Sequence, residues 1–345
     1  PVPYEVTAGW IRLVGDRLLQ ARTRVEIERE TLQAFGDSTA FDQQRGELWL
    51  FHGARVLDQA DDTLDVRGDS IRMRAPGDVL ETLDAFGRAR LRSAELDLQA
   101  PRVTLLFRDD EVVRLIAVRP VGEAGGAPTD GAAADSADVP PQPVGRAEAF
   151  ELRGDSIDAD APGGSLERVV AVGRAVGEST ARDSLNTPTT PEIVRRDWVR
   201  GDTVIVTFLP PDSAGGTKPA DAAPTPAGAA PGDAGADTAG EGRSQARIES
   251  LWAKGNARSL YRTQPRDTVG LAPGMLDVNH VEGDEIRLFM KDGEVERMEV
   301  ENAVGIYLQP VRRRVVPPDS ARARPDTTAR PDTARRPRGG PGGGR

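Results

Sequence analysis

Hydrophobic and polar residues alternate along the chain in a pattern that occurs four times. Each copy has an apolar residue, a Gly-Asp pair two positions later, and then apolar residues at every second position. The four pairs are Gly68-Asp69, Gly154-Asp155, Gly201-Asp202 and Gly283-Asp284. A period of two is typical of β-strands that have one buried and one solvent-facing side. The pattern therefore predicts strands rather than amphipathic helices.

A second alternating segment with its own fixed spacing is associated with each copy. In the first copy its apolar positions are Leu83, Ala85 and Ala89, with Gly87 between the two alanines. In three copies the two segments are separated by turn formers such as Pro76-Gly77, and in the third copy by a long low-complexity stretch. Such turn residues favour hairpins of antiparallel strands. The repeat therefore predicts a row of hairpins.

The parity of the apolar positions changes at each Gly-Asp pair. Val66 is even-numbered, whereas Ile71 and Met73 are odd-numbered. A shift of one residue would turn the apolar side outward unless the backbone bends there, and glycine permits such a bend. We therefore assign the strand bends to the four Gly-Asp pairs: Gly68, Asp69, Gly154, Asp155, Gly201, Asp202, Gly283 and Asp284.

The repeated aspartates have two interpretations. They are compatible with calcium-binding repeats, but the dense acidic nonapeptide of calcium solenoids is lacking. We therefore favour aspartates that hydrogen-bond their own backbone at the bend.

These features together predict an all-β fold in which bent antiparallel hairpins stack into a folded-over sheet, a β-jellyroll or "taco". The apolar positions should form one continuous inner lining. The predicted lining residues are Ile71, Met73, Leu83, Ala85, Ile157, Ala159, Val169, Ala171, Val204, Val206, Phe208, Leu251, Ile286, Leu288, Met298 and Val300. Trp49, Trp198 and Trp252 are expected to cap the ends of the sandwich.

Low-complexity stretches divide the chain. Segments rich in Ala, Gly, Pro and Asp cannot bury enough apolar surface to offset the entropy of ordering. The sequence therefore predicts β repeats over 1–120 and 147–310, disordered insertions over 121–146 and 210–244, and a disordered tail over 311–345. The chain begins with Pro1 rather than Met, so we expect that an N-terminal segment was removed, by signal processing or by trimming.

Charge and reactive side chains exclude several classes of function. The net charge is −10, and the tail has ten Arg against three Asp, so the rest of the chain is about −17. An acidic body argues against nucleic-acid binding. The chain has no cysteine, and its two histidines, His52 and His280, lack partners at metal-ligand spacing. Motifs for a catalytic serine, a Walker A loop or a dinucleotide fold are lacking, so we expect no cofactor and no enzymatic activity.

The repeat also resembles a known family. The Gly-Asp strand, the Pro/Gly turn and the return strand Glu-Arg-apolar-x-Ala-x-Gly-x-Ala over 167–175 are similar to the OstA-like (LptA-like) lipopolysaccharide-transport family. The resemblance implies a periplasmic protein, with or without outer-membrane association, that carries the acyl chains of lipopolysaccharide or a related lipid in its interior. It also implies head-to-tail self-association, and as partners the periplasmic component of an inner-membrane ABC transporter and an outer-membrane β-barrel translocon. The bridge protein itself, the soluble part of the outer-membrane component and a diverged relative all remain open.

Two other classes of function compete with a lipid conduit. The same fold with a filled core would be a structural or scaffolding protein. A carbohydrate-active β-solenoid would need carboxylates that converge on one groove, about 5 to 9.5 Å apart. The acidic residues of this sequence instead fall at alternate, outward positions, which disfavours that enzyme.

Overall fold

The computed structural model describes residues 4–15, 17–59, 64–119, 142–147, 149–188, 190–209, 247–263, 265, 271, 275–291 and 294–309. Within these residues the chain forms strands and a few short 3₁₀ turns, without an α-helix. All the strands pair antiparallel in one sheet. The predicted all-β, jellyroll-like fold is confirmed.

The strands are long and follow one another closely. They are β1 (Glu5–Thr7), β2 (Trp10–Val14), β3 (Leu18–Arg29), β4 (Leu32–Asp42), β5 (Glu47–Asp58), β6 (Leu64–Arg74), β7 (Thr82–Arg92), β8 (Asp97–Arg108), β9 (Glu111–Val118), β10 (Val144–Ala147), β11 (Phe150–Arg153), β12 (Ser156–Asp160), β13 (Arg168–Ser179), β14 (Asp197–Leu209), β15 (Arg247–Thr263), β16 (Asp277–Lys291), β17 (Glu294–Glu301) and β18 (Val304–Leu308). The 3₁₀ turns are Pro76–Asp78, Pro162–Gly164, Asp183–Leu185 and Glu192–Val194.

Some of the short strands are two halves of one longer strand. β1 and β2 both pair with β3, β9 and β10 with β8, β11 and β12 with β13, and β17 and β18 with β16. Counted in this way, the described part of the sheet has fourteen successive strand positions.

The strands bend in register, so that the bend in each strand lies beside the bend in the neighbouring strand. The pairing between β6 and β7 is regular up to Arg67 and resumes at Ser70, so Gly68 and Asp69 are skipped. On β7 the skipped residues are Gly87, Arg88 and Ala89, and the first two have positive φ, of 62° and 38°. Comparable interruptions occur between the other neighbours. The bends divide the sheet into two halves.

We name these halves half-sheet A and half-sheet B. Half-sheet A comprises residues 10–14, 18–22, 38–42, 47–51, 70–74, 82–86, 102–108, 111–118, 156–160, 168–172, 203–209, 247–254, 285–291 and 294–301. Half-sheet B comprises residues 5–7, 25–29, 32–36, 54–58, 64–68, 89–92, 97–100, 144–147, 150–153, 175–179, 197–201, 257–263, 277–283 and 304–308. Buried residues of both halves belong to one hydrophobic cluster, so the two halves face each other.

The sheet runs without a break across the predicted first insertion. β8 pairs with β10, and β9 pairs with β12, so the strands before and after that insertion are neighbours. The predicted boundary at 146 needs correction, because 144–146 lie in β10. Gly145 pairs with Leu98 on one side and Leu152 on the other, which explains why these residues join the sheet. Residues 120–141, most of the first predicted insertion, lie outside the described residues, as do the insertion 210–244 and the tail 311–345.

Trp49 and Trp252 do not cap the ends of the sandwich. Trp49 lies on the outer side of half-sheet A, stacked on Phe51 and Phe86 with ring centroids 5.8 and 5.9 Å away. Trp252 is also on the outer side of half-sheet A, where Lys254 lies 3.3 Å from the centroid of its ring. Cross-strand neighbours bring these outer side chains together.

Candidate functional site

One row of residues crosses the whole inner side of half-sheet A. Each member is directly opposite the next on the neighbouring strand, so the row runs perpendicular to the strands. Its members are Ile11, Ala21, Thr39, Leu50, Ile71, Ala85, Val103, Ala117, Ile157, Ala171, Val204, Ala253, Ile286 and Val300. Apart from Thr39, every member is apolar, so the inner wall is continuous from one end of the sheet to the other.

A second row lies two residues farther from the bend. Its members are Leu13, Leu19, Phe41, Leu48, Met73, Leu83, Leu105, Leu115, Ala159, Val169, Val206, Leu251, Leu288 and Met298. All of these residues are apolar. The two rows include every lining residue named from the sequence except Phe208, which is buried next to them near the end of β14.

The inner row of half-sheet B changes in character along the sheet. In the first half its members are large apart from Ala34, as at Ile27, Val66 and Leu91. In the second half small residues alternate with larger ones, including Gly145, Leu152, Gly177, Val199, Ser259, Val281 and Gly305. Small residues there leave room between the half-sheets for other side chains or for a ligand.

Both ends of the interior are nearly filled. A cavity of about 40 Å³ lies between the half-sheets near Val6 and Met73, and another of about 40 Å³ lies near Phe150 and Leu288. In the second of these the ring of Phe150 occupies the space that a side chain at Gly177 would take. Each cavity is far smaller than the roughly 300–1,000 Å³ that is usual for small-ligand pockets.

The middle of the interior is open. A cavity of about 380 Å³, which we call the middle cavity, lies between the free ends of the two half-sheets. Its apolar wall is formed by Leu64, Leu91 and Leu96 of half-sheet B, or next to it, and by Phe107, Leu115 and Leu166 on the side of half-sheet A. This volume falls within the range of about 300–1,000 Å³ that is usual for small-ligand pockets.

Between described residues, two hydrogen bonds join the free ends of the half-sheets. The guanidinium of Arg29 donates to the carbonyl oxygen of Asp78 over 3.1 Å. The backbone N–H of Leu166 donates to the carboxylate of Glu95 over 2.8 Å. Because each bond connects a loop of one half with a residue of the other, the opening between the halves is bridged at two points.

The bend aspartates contact the next strand instead of their own backbone. Asp69 accepts hydrogen bonds from Arg88, and Asp155 accepts one of 2.8 Å from Arg174. Asn residues occupy the equivalent place in the other two copies, where Asn256 donates to Asp202 and Asn302 to Asp284. The predicted own-backbone bond is therefore replaced by a cross-strand one, because the bend of the neighbouring strand lies at the same level.

Electrostatics at the bend of β11 and β12 favour an ionised carboxylate of Asp155. The hydrogen bond from Arg174 holds the pKa of Asp155 below its ordinary value, helped by Gln142. Within the described residues, no group of three or more His, Asp and Glu side chains has the arrangement of a metal site. The repeated aspartates are thus arranged as connections between strands.

A polar network covers the outer side of half-sheet A. Asp84 is almost fully buried and accepts hydrogen bonds from Arg72, Arg102 and Thr104. Burial raises the pKa of Asp84, but these hydrogen bonds outweigh it and lower the pKa overall. The guanidinium of Arg72 also lies over the ring of Trp49.

Both edges of the sheet expose apolar side chains. At one edge, Ile11 and Leu13 of β2 are exposed, and at the other edge Val304, Ile306 and Leu308 of β18 are exposed. An edge strand also has backbone groups without a strand partner on one side. Both edges are therefore suited to pairing with another β-strand.

The two histidines lie apart from each other and from the middle cavity. His52 is an exposed residue in the bend of β5, with a positive φ of 61°. His280 lies on β16 against Trp198, with ring centroids 5.9 Å apart. The structure therefore does not bring them together.

Sequence reasoning did not identify the middle cavity. Its residues come from β9, from the loop that follows β12 and from the ends of β6 to β8, which are distant in the sequence. Leu115 and Phe107 lie in strands that do not carry the Gly-Asp repeat. The only available signal was the alternation within β9, which predicts an inward side but not an unfilled space.

Comparisons with known proteins add little to this geometry. No family model matches the chain, and no curated protein matches it. Among solved structures, the chain is similar to LptH, the LptA homologous periplasmic component of the conserved lipopolysaccharide transport device from Pseudomonas aeruginosa. That similarity has 13% sequence identity and a TM-score of 0.31, and it covers 37% of this chain and 90% of the other. The described part of this chain contains no helix with the length and apolarity needed to span a bilayer.

Proposed function

We propose that this protein is a periplasmic lipid carrier that holds the acyl chains of lipopolysaccharide or a related lipid between half-sheets A and B. The observation that carries the proposal is the middle cavity, whose wall includes Leu115 of the second apolar row of half-sheet A. The resemblance of the repeat to the OstA-like family supports the same function. We propose no catalytic step.

Binding by such a wall needs only contact. Transfer of one CH₂ group from water to an apolar surface is worth about 0.8 kcal/mol, so a short length of acyl chain gives useful and reversible binding. The rows offer equivalent apolar positions on every strand. An acyl chain that moves along the rows therefore exchanges one set of apolar contacts for a similar one. A reversible carrier requires this property.

Movement of lipid along the whole interior requires the half-sheets to separate. Toward the two ends, row residues such as Leu48 and Leu288 are buried and the cavities beside them are small. The bonds of Arg29 with Asp78 and of Glu95 with Leu166 are the polar contacts that would have to open first. In this proposal the middle cavity is the resting binding place and the ends open during transfer.

The exposed edges suggest how the carrier would be extended. Because the fourteen strand positions alternate in direction, the last strand of one molecule is antiparallel to the first strand of a copy placed beside it. Head-to-tail addition would therefore continue the antiparallel sheet and both apolar rows. We propose that the edges pair with further copies or with β-rich partners, namely an inner-membrane ABC transporter component and an outer-membrane β-barrel.

Photo-crosslinking from adjacent residues of β9 tests the proposal. Leu115 faces the middle cavity, whereas Ile116 is its neighbour on the outer side. A photoactivatable residue at Leu115 should crosslink to lipopolysaccharide in cells, and the same residue at Ile116 should not. Equal labelling from both positions would contradict an interior binding site.

A filled-core scaffolding protein is the second candidate, and the small end cavities favour it. The two candidates differ in what co-purifies with the protein. Native mass spectrometry of the full chain should show bound lipid for a carrier, and its removal should lower the melting temperature. A mass without lipid and an unchanged melting temperature after delipidation would support the scaffold.

A further inference from the structure

Phe150 lies at the boundary between two cavities of the interior. The middle cavity is lined by residues of β5 to β9, of their connecting loops and of the loop after β12. The small cavity near Leu288, which we call the end cavity, is lined by Phe150, by residues of β13 to β17 and by the segment after β13. Phe150 begins β11, which shares one strand position with β12, between the strands that line the two cavities.

Gly177 leaves the space that the ring of Phe150 occupies. A Cβ atom built at Gly177 would overlap Cζ of Phe150 and would lie 3.3 Å from Cε1 and Cε2 of the same ring. Gly177 is paired with Leu152, so Phe150 is its diagonal neighbour, a separation that aromatic side chains can span. Its φ is outside the left-handed region, so the backbone does not require a glycine. A glycine inside a strand often marks the close approach of another group, and here that group is the ring.

Half-sheet A has a small side chain at the same strand position. Ala159 of β12 lies in the second row between Leu115 and Val169, and it is the smallest member of that row. Phe150 itself is buried, with 7% of its surface exposed. The ring therefore supplies the apolar bulk that an alanine on one half-sheet and a glycine on the other do not provide.

The place of Phe150 in its strand allows the ring to move. Phe150 is the first residue of β11 and lies at the free end of half-sheet B, where the two half-sheets open. Side chains occupy three staggered rotamers, and a change of rotamer takes the ring of Phe150 off Gly177. The passage between the two cavities is thus closed by one side chain near the opening.

We propose that Phe150 is a gate between the middle cavity and the end cavity, and that it limits the length of acyl chain that the middle cavity accepts. With the ring against Gly177, an acyl chain in the middle cavity ends at Phe150. With the ring turned away, the acyl chain continues between the half-sheets toward β17. This inference rests on the proposed lipid-carrying function and names the residue that determines chain length at that site.

A series of single-chain lipids tests the gate. Decanoyl, lauroyl, myristoyl and palmitoyl lysophosphatidylcholine are titrated calorimetrically into the full chain, below their micelle concentrations. For the unsubstituted protein, the affinity should rise about fourfold for each added CH₂ group and then level off once the acyl chain reaches Phe150. For Phe150→Ala the rise should continue, so that the palmitoyl lipid binds at least about tenfold more tightly than to the unsubstituted protein. The decanoyl lipid should bind both proteins equally.

Two further variants distinguish a gate from a general loosening of the core. Phe208→Ala removes the same ring from a buried position on β14 that lines neither cavity, and it should level off at the same chain length as the unsubstituted protein. Because loss of a buried ring destabilises a core, Phe150→Leu is measured in parallel as a milder change. It should extend the rise by fewer CH₂ groups than Phe150→Ala.

The outcomes separate the gate from the function on which it rests. An affinity that rises without levelling off in the unsubstituted protein would overturn the gate, and so would the same levelling point in Phe150→Ala and Phe150→Leu. A longer rise in Phe208→Ala as well would show that loosening of the core is the cause. In each of these cases lipid binding itself would stand. If none of the lipids binds to any of the four proteins, both the gate and the carrier function are wrong.

Discussion

The carboxylate of Asp155 lies against the α-carbon of Gly173 on the neighbouring strand. A Cβ atom built at Gly173 would come 2.5 Å from Asp155 Oδ2, which is closer than such atoms approach in proteins. The same relationship joins Asp69 to Gly87 and Asp202 to Gly255. Each of these Gly-Asp pairs thus fits closely against a glycine in the return segment, and this contact fixes the level at which adjacent strands bend.

Gly173→Ala should therefore destabilise the protein by about 2–4 kcal/mol, from a strained positive φ and an overpacked contact. Gly163→Ala is the matched control, because Gly163 has a similar φ of 68° against 82° at Gly173 but nothing within 4 Å of the position that an alanine methyl group would take. It should cost about 1 kcal/mol. Chemical denaturation measures both, and equal losses would show that the aspartate contact has no effect.

The same Ile→Ala substitution should lower the unfolding free energy far more in an inner row than on the outer side of the sheet. Ile286 is fully buried in the first row, whereas Ile205 is half-buried on the outer side of β14. Ile286→Ala should cost about 2–5 kcal/mol of unfolding free energy because it leaves a cavity. Ile205→Ala should cost about 1 kcal/mol. Similar losses measured by denaturant titration would mean that the row is not the core of the fold.

Acid should weaken the pairing around Asp65 on β6. Burial raises the pKa of Asp65, but hydrogen bonds from Arg67 and Arg55 outweigh it and lower the pKa to about 2. Because the pKa is lower in the folded state, the associated stability is present above about pH 4, the unfolded value, and is lost as the pH falls toward 2. The pairing arginines are partly exposed, so the loss should be only about 1 kcal/mol.

Measuring the unfolding free energy between pH 5 and 2, a range set by those two pKa values, tests this pairing. At the upper end of this pH range, Asp65→Asn should have a lower unfolding free energy than the unsubstituted protein. Its unfolding free energy should also fall less steeply as the pH is lowered. Asp37→Asn, at an exposed position without a described ion pair, is the control and should follow the unsubstituted protein. Parallel curves for all three proteins would contradict the predicted contribution of Asp65.

Self-association should depend on the exposed edge of β18. Ile306 is 54% exposed there, and lysine on an edge strand discourages pairing with another sheet. Ile306→Lys should reduce the association constant by about tenfold or more. The control Ile193→Lys changes an equally apolar, 70% exposed residue in a 3₁₀ turn and should have no effect. Sedimentation velocity measures both, and a protein that remains monomeric at every concentration would contradict edge pairing.

The sequence by itself determined the strands, their inner sides and the places where they bend. Alternation at every second residue and the glycines at the bends are local properties of the chain, and each acts within a few residues. For this reason Ile71, Ile157, Val204 and Ile286, chosen from their place in the repeat, lie in one row of the structure. The all-β, folded-over architecture followed from the same pattern.

Only the tertiary structure decided how distant strands combine. The middle cavity requires the ends of β6 to β9 and the loop after β12 to lie around one space, and no local pattern specifies an unfilled volume. The bond of Leu166 to Glu95 joins residues 71 positions apart. The partners of Asp155 and the stacking of Trp49 on Phe86 likewise depend on which strands become neighbours. The packing of the whole sheet decides which strands become neighbours. Residues that are distant in the sequence come into contact only when the chain between them has already been ordered.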